Sequence, residues 1–120
     1  MEFLEKMISY TPNKPQYQIE KMGFYAFAHF GMNTFTGKEW GDGKASPSLF
    51  NPTDLDTDQW CRVLRDSGMK GIIATAKHHD GFCLWDTKTT DYSVKNSPFK
   101  KDVLALLRAS CDKYGLKLGV

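Results

Sequence analysis

Residues 71–76, Gly-Ile-Ile-Ala-Thr-Ala, constrain the fold more than any other stretch of the chain. An uncharged run with two adjacent isoleucines reads as a strand buried on both faces, the habit of a parallel sheet. Within three residues the run turns polar and presents Lys77, His78, His79 and Asp80 together. Gly81 and the group Phe82, Cys83, Leu84 and Trp85 follow. α/β folds place their chemistry at the carboxyl ends of buried parallel strands. The rest of the chain therefore reads as what builds and lines that end.

Upstream, residues 1–22 are polar, with Pro12 and Pro15 placed to break a helix, and read as a surface lead-in packed against the first strand. Gly23 to Phe30 is apolar and aromatic and predicts a buried strand ending in His29-Phe30-Gly31. From Asn33 to Asp56 the chain is rich in Gly, Pro and Asp. It predicts a long loop, ordered by Phe35, Trp40, Leu49 and Phe50. Asp56 with Gln59 three residues on predicts a helix start, Trp60, Val63 and Leu64 recur at helical spacing, and Gly68 stops the helix. After the organising strand comes a second loop, 86–97. Pro98 then stands where a second helix would begin, carrying the stripe Val103, Leu106, Leu107, Cys111 and Tyr114 and ending at Gly115. Leu116 to Val120 begins a third strand.

The order strand, helix, strand, helix, strand predicts two right-handed βαβ units and a parallel sheet. The strands start near Gly23, Gly71 and Leu116, about 45 residues apart, with the excess in the loops that follow them. Loops enlarged on that side are the habit of (β/α)8 barrels, which need about 250 residues. The expectation is an α/β fold: a lead-in over 1–22, then over 23–120 the amino-terminal part of a (β/α)8 barrel, cut within its third strand.

The charge balance excludes some partners. Sixteen Lys and Arg against fourteen Asp and Glu give a net charge of +2, too weak to argue for nucleic acid or a membrane surface. No segment approaches the roughly 20 apolar residues of a membrane span. Residues 1–20 hold no signal-peptide pattern. Cys61, Cys83 and Cys111 are far apart in sequence, show no C-x-x-C spacing and read as reduced, buried thiols. Together these favour the cytoplasm, with secretion or a periplasmic location requiring a leader removed before Met1. No cofactor or metal is expected.

Three clusters could carry chemistry. His78 and His79 adjoin at a strand's carboxyl end, where both imidazoles can reach one cavity. A neutral imidazole donates from one nitrogen and accepts at the other, which suits adjacent sugar hydroxyls. A lone histidine is usually structural, but an adjacent pair at this place favours function. His29 occupies the equivalent end of the first strand. Glu39-Trp40 offers a carboxylate acceptor beside an indole with a stacking face and an N–H; the bland alternative is a loop Glu beside a Trp that plugs a rim. Glycoside hydrolysis needs two placed carboxyl groups, and spacing singles out no nucleophile among Glu39, Asp42, Asp80 and Asp86. From the residues alone, a hydroxyl-rich small ligand is indicated and the reaction is left open.

The runs HFGMNTF (29–35), EWGDG (39–43), LFNPTD (49–54) and TAKHHDGFCLW (75–85), with Ser93 to Pro98, resemble α-L-fucosidases of glycoside hydrolase family 29. The resemblance covers nearly everything after Gly23. It implies a (β/α)8 catalytic domain and retaining removal of terminal α-L-fucose from a fucosylated oligosaccharide or glycoconjugate. It implies that His29, Glu39, Trp40, His78 and His79 hold the fucose hydroxyls. It places the nucleophilic Asp and the acid/base beyond Val120, so that the 120 residues carry no catalytic residue and are expected to be inactive alone. The variant HFGMNTFTGKEWGDG resembles the branch acting on α-1,3/1,4-linked fucose. Rival readings are a metal-dependent barrel hydrolase using His78, His79, Asp80 and His29, a non-catalytic sugar-binding barrel, and a nucleotide-binding module. The last lacks any G-x-G-x-x-G or G-K-S/T after a strand.

Overall fold

The apolar run becomes β2 (Gly71–Ala74), the middle strand of a three-stranded parallel sheet between β1 (Ala26–Ala28) and β3 (Lys117–Gly119). The structure, a computed structural model, describes residues 2–120; Met1, the first residue of the expected lead-in, lies outside the described residues. Ala26 stands opposite Ile72, and Ile72 opposite Leu118. Alternation along a strand puts Ala26, Ala28, Ile72, Ala74 and Leu118 on one face. That face packs against Cys61, Trp60 and Leu64 of α4 (Thr57–Asp66) and against Leu107 and Cys111 of α5 (Val103–Tyr114). The fold is thus α/β, with helices covering one side of a parallel sheet.

Phe27, Ile73 and Gly119 fall on the other face. There Phe27 is 65% exposed, which corrects the expectation of a buried first strand. The strand is also shorter than expected, because only Ala26 to Ala28 find partners on β2. The aromatic rings of Tyr25, Phe27 and His29 follow one another along this open face, with centroids 6.3 and 6.4 Å apart. Alternation therefore carries His29 to the same side as Phe27.

The two principal helices obey their caps. The Asp56 side chain accepts the Gln59 N–H at 2.9 Å and starts α4. α5 starts five residues later than Pro98 suggests, because the Asp102 side chain supplies an acceptor for the Ala105 N–H (2.8 Å) that a proline side chain lacks. The helices are pinned to each other at their rim: Thr57 and Ser110 hydroxyls lie 2.8 Å apart, and Asp58 accepts from Ser110 (2.7 Å) and Lys113 (2.5 Å).

The lead-in differs from its expectation. It forms α1 (Glu2–Ile8) and α2 (Lys14–Met22). Pro12 falls in the break between them. Pro15 sits in the first turn of α2, where its missing N–H removes no hydrogen bond. Asn13 and Gln16 cap that turn reciprocally at 2.9 Å each way. The lead-in does not pack on β1. Pro15, Ile19 and Met22 instead border a hollow of about 640 Å³ shared with Lys70 and with Ile72, Ile73 and Gly119 of β2 and β3.

At the carboxyl ends of the strands a second core orders the loops. The expected long loop contains a short helix, α3 (Met32–Thr36), and a single 3-10 turn, Pro47–Leu49. Phe50 is fully buried, and its ring meets Phe30, Phe35, Phe82 and Phe99 at centroid distances of 5.6, 5.1, 5.1 and 6.1 Å. Met32, Leu84, Val94 and Val103 complete the cluster. Burying one such ring is worth about 1.5–3 kcal/mol, so Phe50 accounts for much of why this loop has one conformation.

Candidate functional site

Beyond Ala74 the chain does not continue as a strand. Residues 78–81 close a tight turn in which the Gly81 N–H donates to the His78 carbonyl at 3.0 Å. The chain then returns antiparallel, with Lys77 bridged to Cys83 and the Leu84 N–H donating to Ala76. Adjacent side chains on such a turn share a side. The His78 and His79 rings accordingly lie 4.8 Å apart at right angles.

Four of the five residues expected to bind ligand meet here. His29, one residue beyond β1, places its ring 5.5 Å from His78. Trp40, from the loop after α3, places its indole 5.7 Å from His79. The order His29, His78, His79, Trp40 is a continuous row of rings across the carboxyl ends of β1 and β2. Trp40 is 73% exposed, so its face is open to a ligand. The Nδ1 of His78 is shielded from solvent and has no hydrogen-bond partner among the described residues. Glu39 is brought near only by being next to Trp40. It is exposed and makes no hydrogen bond or ion pair among the described residues.

Asp80 organises this site without belonging to the row. It is only 7% exposed, and its Oδ1 accepts the Phe82 N–H at 2.7 Å, fixing the turn from within. The Trp40 loop runs over it: a methyl group on Gly41 would lie 3.0 Å from the Asp80 Cβ, and one on Gly43 would lie 3.0 Å from the Asp80 carbonyl oxygen. Gly43 also has φ +73°, a conformation glycine adopts without strain. The Gly41-Asp42-Gly43 sequence is therefore what lets the Trp40 loop touch the histidine turn. That spacing signalled a tight loop path, but nothing in it named Asp80 as the surface underneath.

Two titratable groups near the turn, Cys83 and Tyr92, are shifted toward their neutral forms. Burial pushes the Cys83 thiol up, a shift Lys77 opposes, so its thiolate form is disfavoured. Burial, followed by the charges of Asp80 and Asp42, pushes the Tyr92 phenol up. No three His, Cys, Asp or Glu side chains converge as a metal centre requires among the described residues. The arrangement can donate to and accept from several hydroxyls at once, and can lay an aromatic face against an apolar ring edge.

A family model described as Alpha-L-fucosidase matches residues 4–120. The chain is 49% identical over 112 residues to Alpha-L-fucosidase 1 of Arabidopsis thaliana, covering 91% of this chain and 22% of that protein. A glycoside hydrolase 29 family member from an unknown rumen bacterium superimposes with a TM-score of 0.84 at 50% identity, over 89% of this chain and 20% of its own. An alpha-L-fucosidase of Bacteroides thetaiotaomicron, trapped as a covalent intermediate in complex with 2-fluoro-fucosyl fluoride, gives a TM-score of 0.76 at 29% identity, over 90% of this chain and 30% of its own. The chain spans about a fifth of the length of the curated relatives first matched.

Proposed function

This chain belongs to the alpha-L-fucosidase family, and on that premise we propose that the whole protein removes terminal α-L-fucose from glycans with retention of configuration. The row His29–His78–His79–Trp40 is the observation that carries this reading. Its imidazoles hold adjacent fucose hydroxyls, and the exposed indole packs against the apolar edge of the deoxy sugar. Glu39 swings from its exposed position to accept from a further hydroxyl. The parallel sheet, with helices on one face and an uncovered face leading up to His29, forms the first strands of a (β/α)8 barrel. The nucleophile and the acid/base come from elsewhere in the protein, so these 120 residues alone bind fucose weakly and turn nothing over. Retention is supported by the covalent intermediate trapped in the Bacteroides relative. The preferred substrates are branched glycans with α-1,3/1,4-linked fucose.

His79→Ala in the full-length protein tests the assignment. Losing one or two hydrogen bonds to bound hydroxyls, at about 1–1.5 kcal/mol each, lowers kcat/KM on 4-nitrophenyl α-L-fucoside by roughly 10- to 100-fold. The thermal midpoint stays put, because His79 is exposed. Unchanged kinetics refute the role of the row. Fucose binding without release of 4-nitrophenol by the wild type makes the protein a sugar-binding relative instead.

A further inference from the structure

Cys61 and Cys111 lie 50 residues apart in sequence, yet their sulfur atoms are 3.7 Å apart. One is on α4 and the other on α5, and each is 0% exposed. Both are free thiols, and Cys83 lies outside their cluster, its thiol turned to the Gly81 carbonyl at 3.7 Å. No third sulfur competes for either member of the pair among the described residues. The register of the contact is fixed from outside by the Thr57, Ser110, Asp58 and Lys113 network, which leaves α4 little freedom to slide along α5.

We propose that Cys61 and Cys111 are an oxidative modification site, closing to an intrachain disulfide with a peroxide as oxidant and stapling the two helices that back the sheet. The inference is independent of the proposed function. A disulfide bond is about 2.0 Å long, so the sulfurs need only a small approach by rotation about their side chains. The thiolate of one cysteine attacks the O–O bond, becoming a sulfenic acid as hydroxide leaves. The second sulfur then displaces that hydroxyl group, and the two thiol protons leave in two waters. Burial pushes Cys61 up to about 12, with Cys111 adding to the shift, and raises Cys111 as well, where the hydrogen bond from Cys61 opposes it. Scarce thiolate makes the reaction slow in the folded protein and faster at alkaline pH.

The test treats full-length protein with hydrogen peroxide, blocks remaining thiols, and maps proteolytic peptides without reductant. The expected product is one cross-linked peptide joining Cys61 to Cys111, lighter by about 2 Da than the two thiol peptides together. The linkage closes a long loop around β2 and the histidine turn, so the thermal midpoint rises by about 5 °C and returns on adding dithiothreitol. Cys83→Ser leaves both effects unchanged. Peptides in which Cys61 and Cys111 stay thiols, or a Cys83 cross-link to either, overturn the proposal. A linked product with no rise in midpoint overturns its role as a staple. Mapping on the wild type decides the matter without a substitution at either cysteine.

Discussion

Replacing Asp80 by alanine removes the acceptor that holds the Phe82 N–H at 2.7 Å inside the histidine turn. The site is almost closed to water, so the freed N–H finds no full substitute. Hydrogen bonds to charged groups are worth about 1.5–3 kcal/mol, and an orphaned buried donor costs a similar amount. Taking about 2 kcal/mol, local opening of the turn becomes roughly 30-fold more frequent. Asp80→Asn keeps an oxygen at the same place and loses only the charge assistance, so its opening rises by about 5-fold or less. Hydrogen–deuterium exchange of the full-length protein reads this directly, in peptides covering residues 77–85, with peptides from α5 as the unperturbed control. kcat/KM on an aryl fucoside falls in the same order, alanine more than asparagine, because the turn carries both imidazoles. Equal exchange in the two variants, or wild-type exchange in Asp80→Ala, refutes the view that this carboxylate fixes the turn.

Two further outcomes follow from packing and protonation. Phe50→Ala empties the centre of the loop cluster and lowers stability by about 3–5 kcal/mol, read as a lower thermal midpoint; a loss under about 1 kcal/mol would show that the loops are held from elsewhere. The Cys61 thiol is raised on folding from 9 to about 12, so folding favours its protonated form. Its contribution is fully present below pH 9 and is lost as pH rises toward 12. Under reducing conditions the thermal midpoint therefore falls over that window, and Cys61→Val flattens the fall; parallel pH profiles of variant and wild type contradict the assigned cause.

Local chemistry made some features readable from sequence and long-range packing hid others. β2 and the helices α4 and α5 were legible because a short apolar run, the Asp56 cap and the Gly115 stop act on neighbouring residues. Pro15 reads locally as a helix breaker, although Asn13 and Gln16 make its position the first turn of α2. Phe27 was expected inside because its run is apolar; whether a strand face is covered depends on what packs there, which the run does not contain. The ring row is anticipated by the placement of His29, His78 and His79 at strand ends and by the carboxylate–indole pair Glu39-Trp40 in the loop, and Glu39 is the residue that does not join the row. Asp80 as the support of the turn, and the meeting of Cys61 with Cys111, arise only once distant segments are folded together.

The bare side of the sheet has a practical consequence. Made by itself, this segment offers outer strands with free amide and carbonyl groups beside a greasy aromatic surface, a template on which further copies can stack. A second polypeptide that covers this bare side should give those groups neighbours and keep the copies apart.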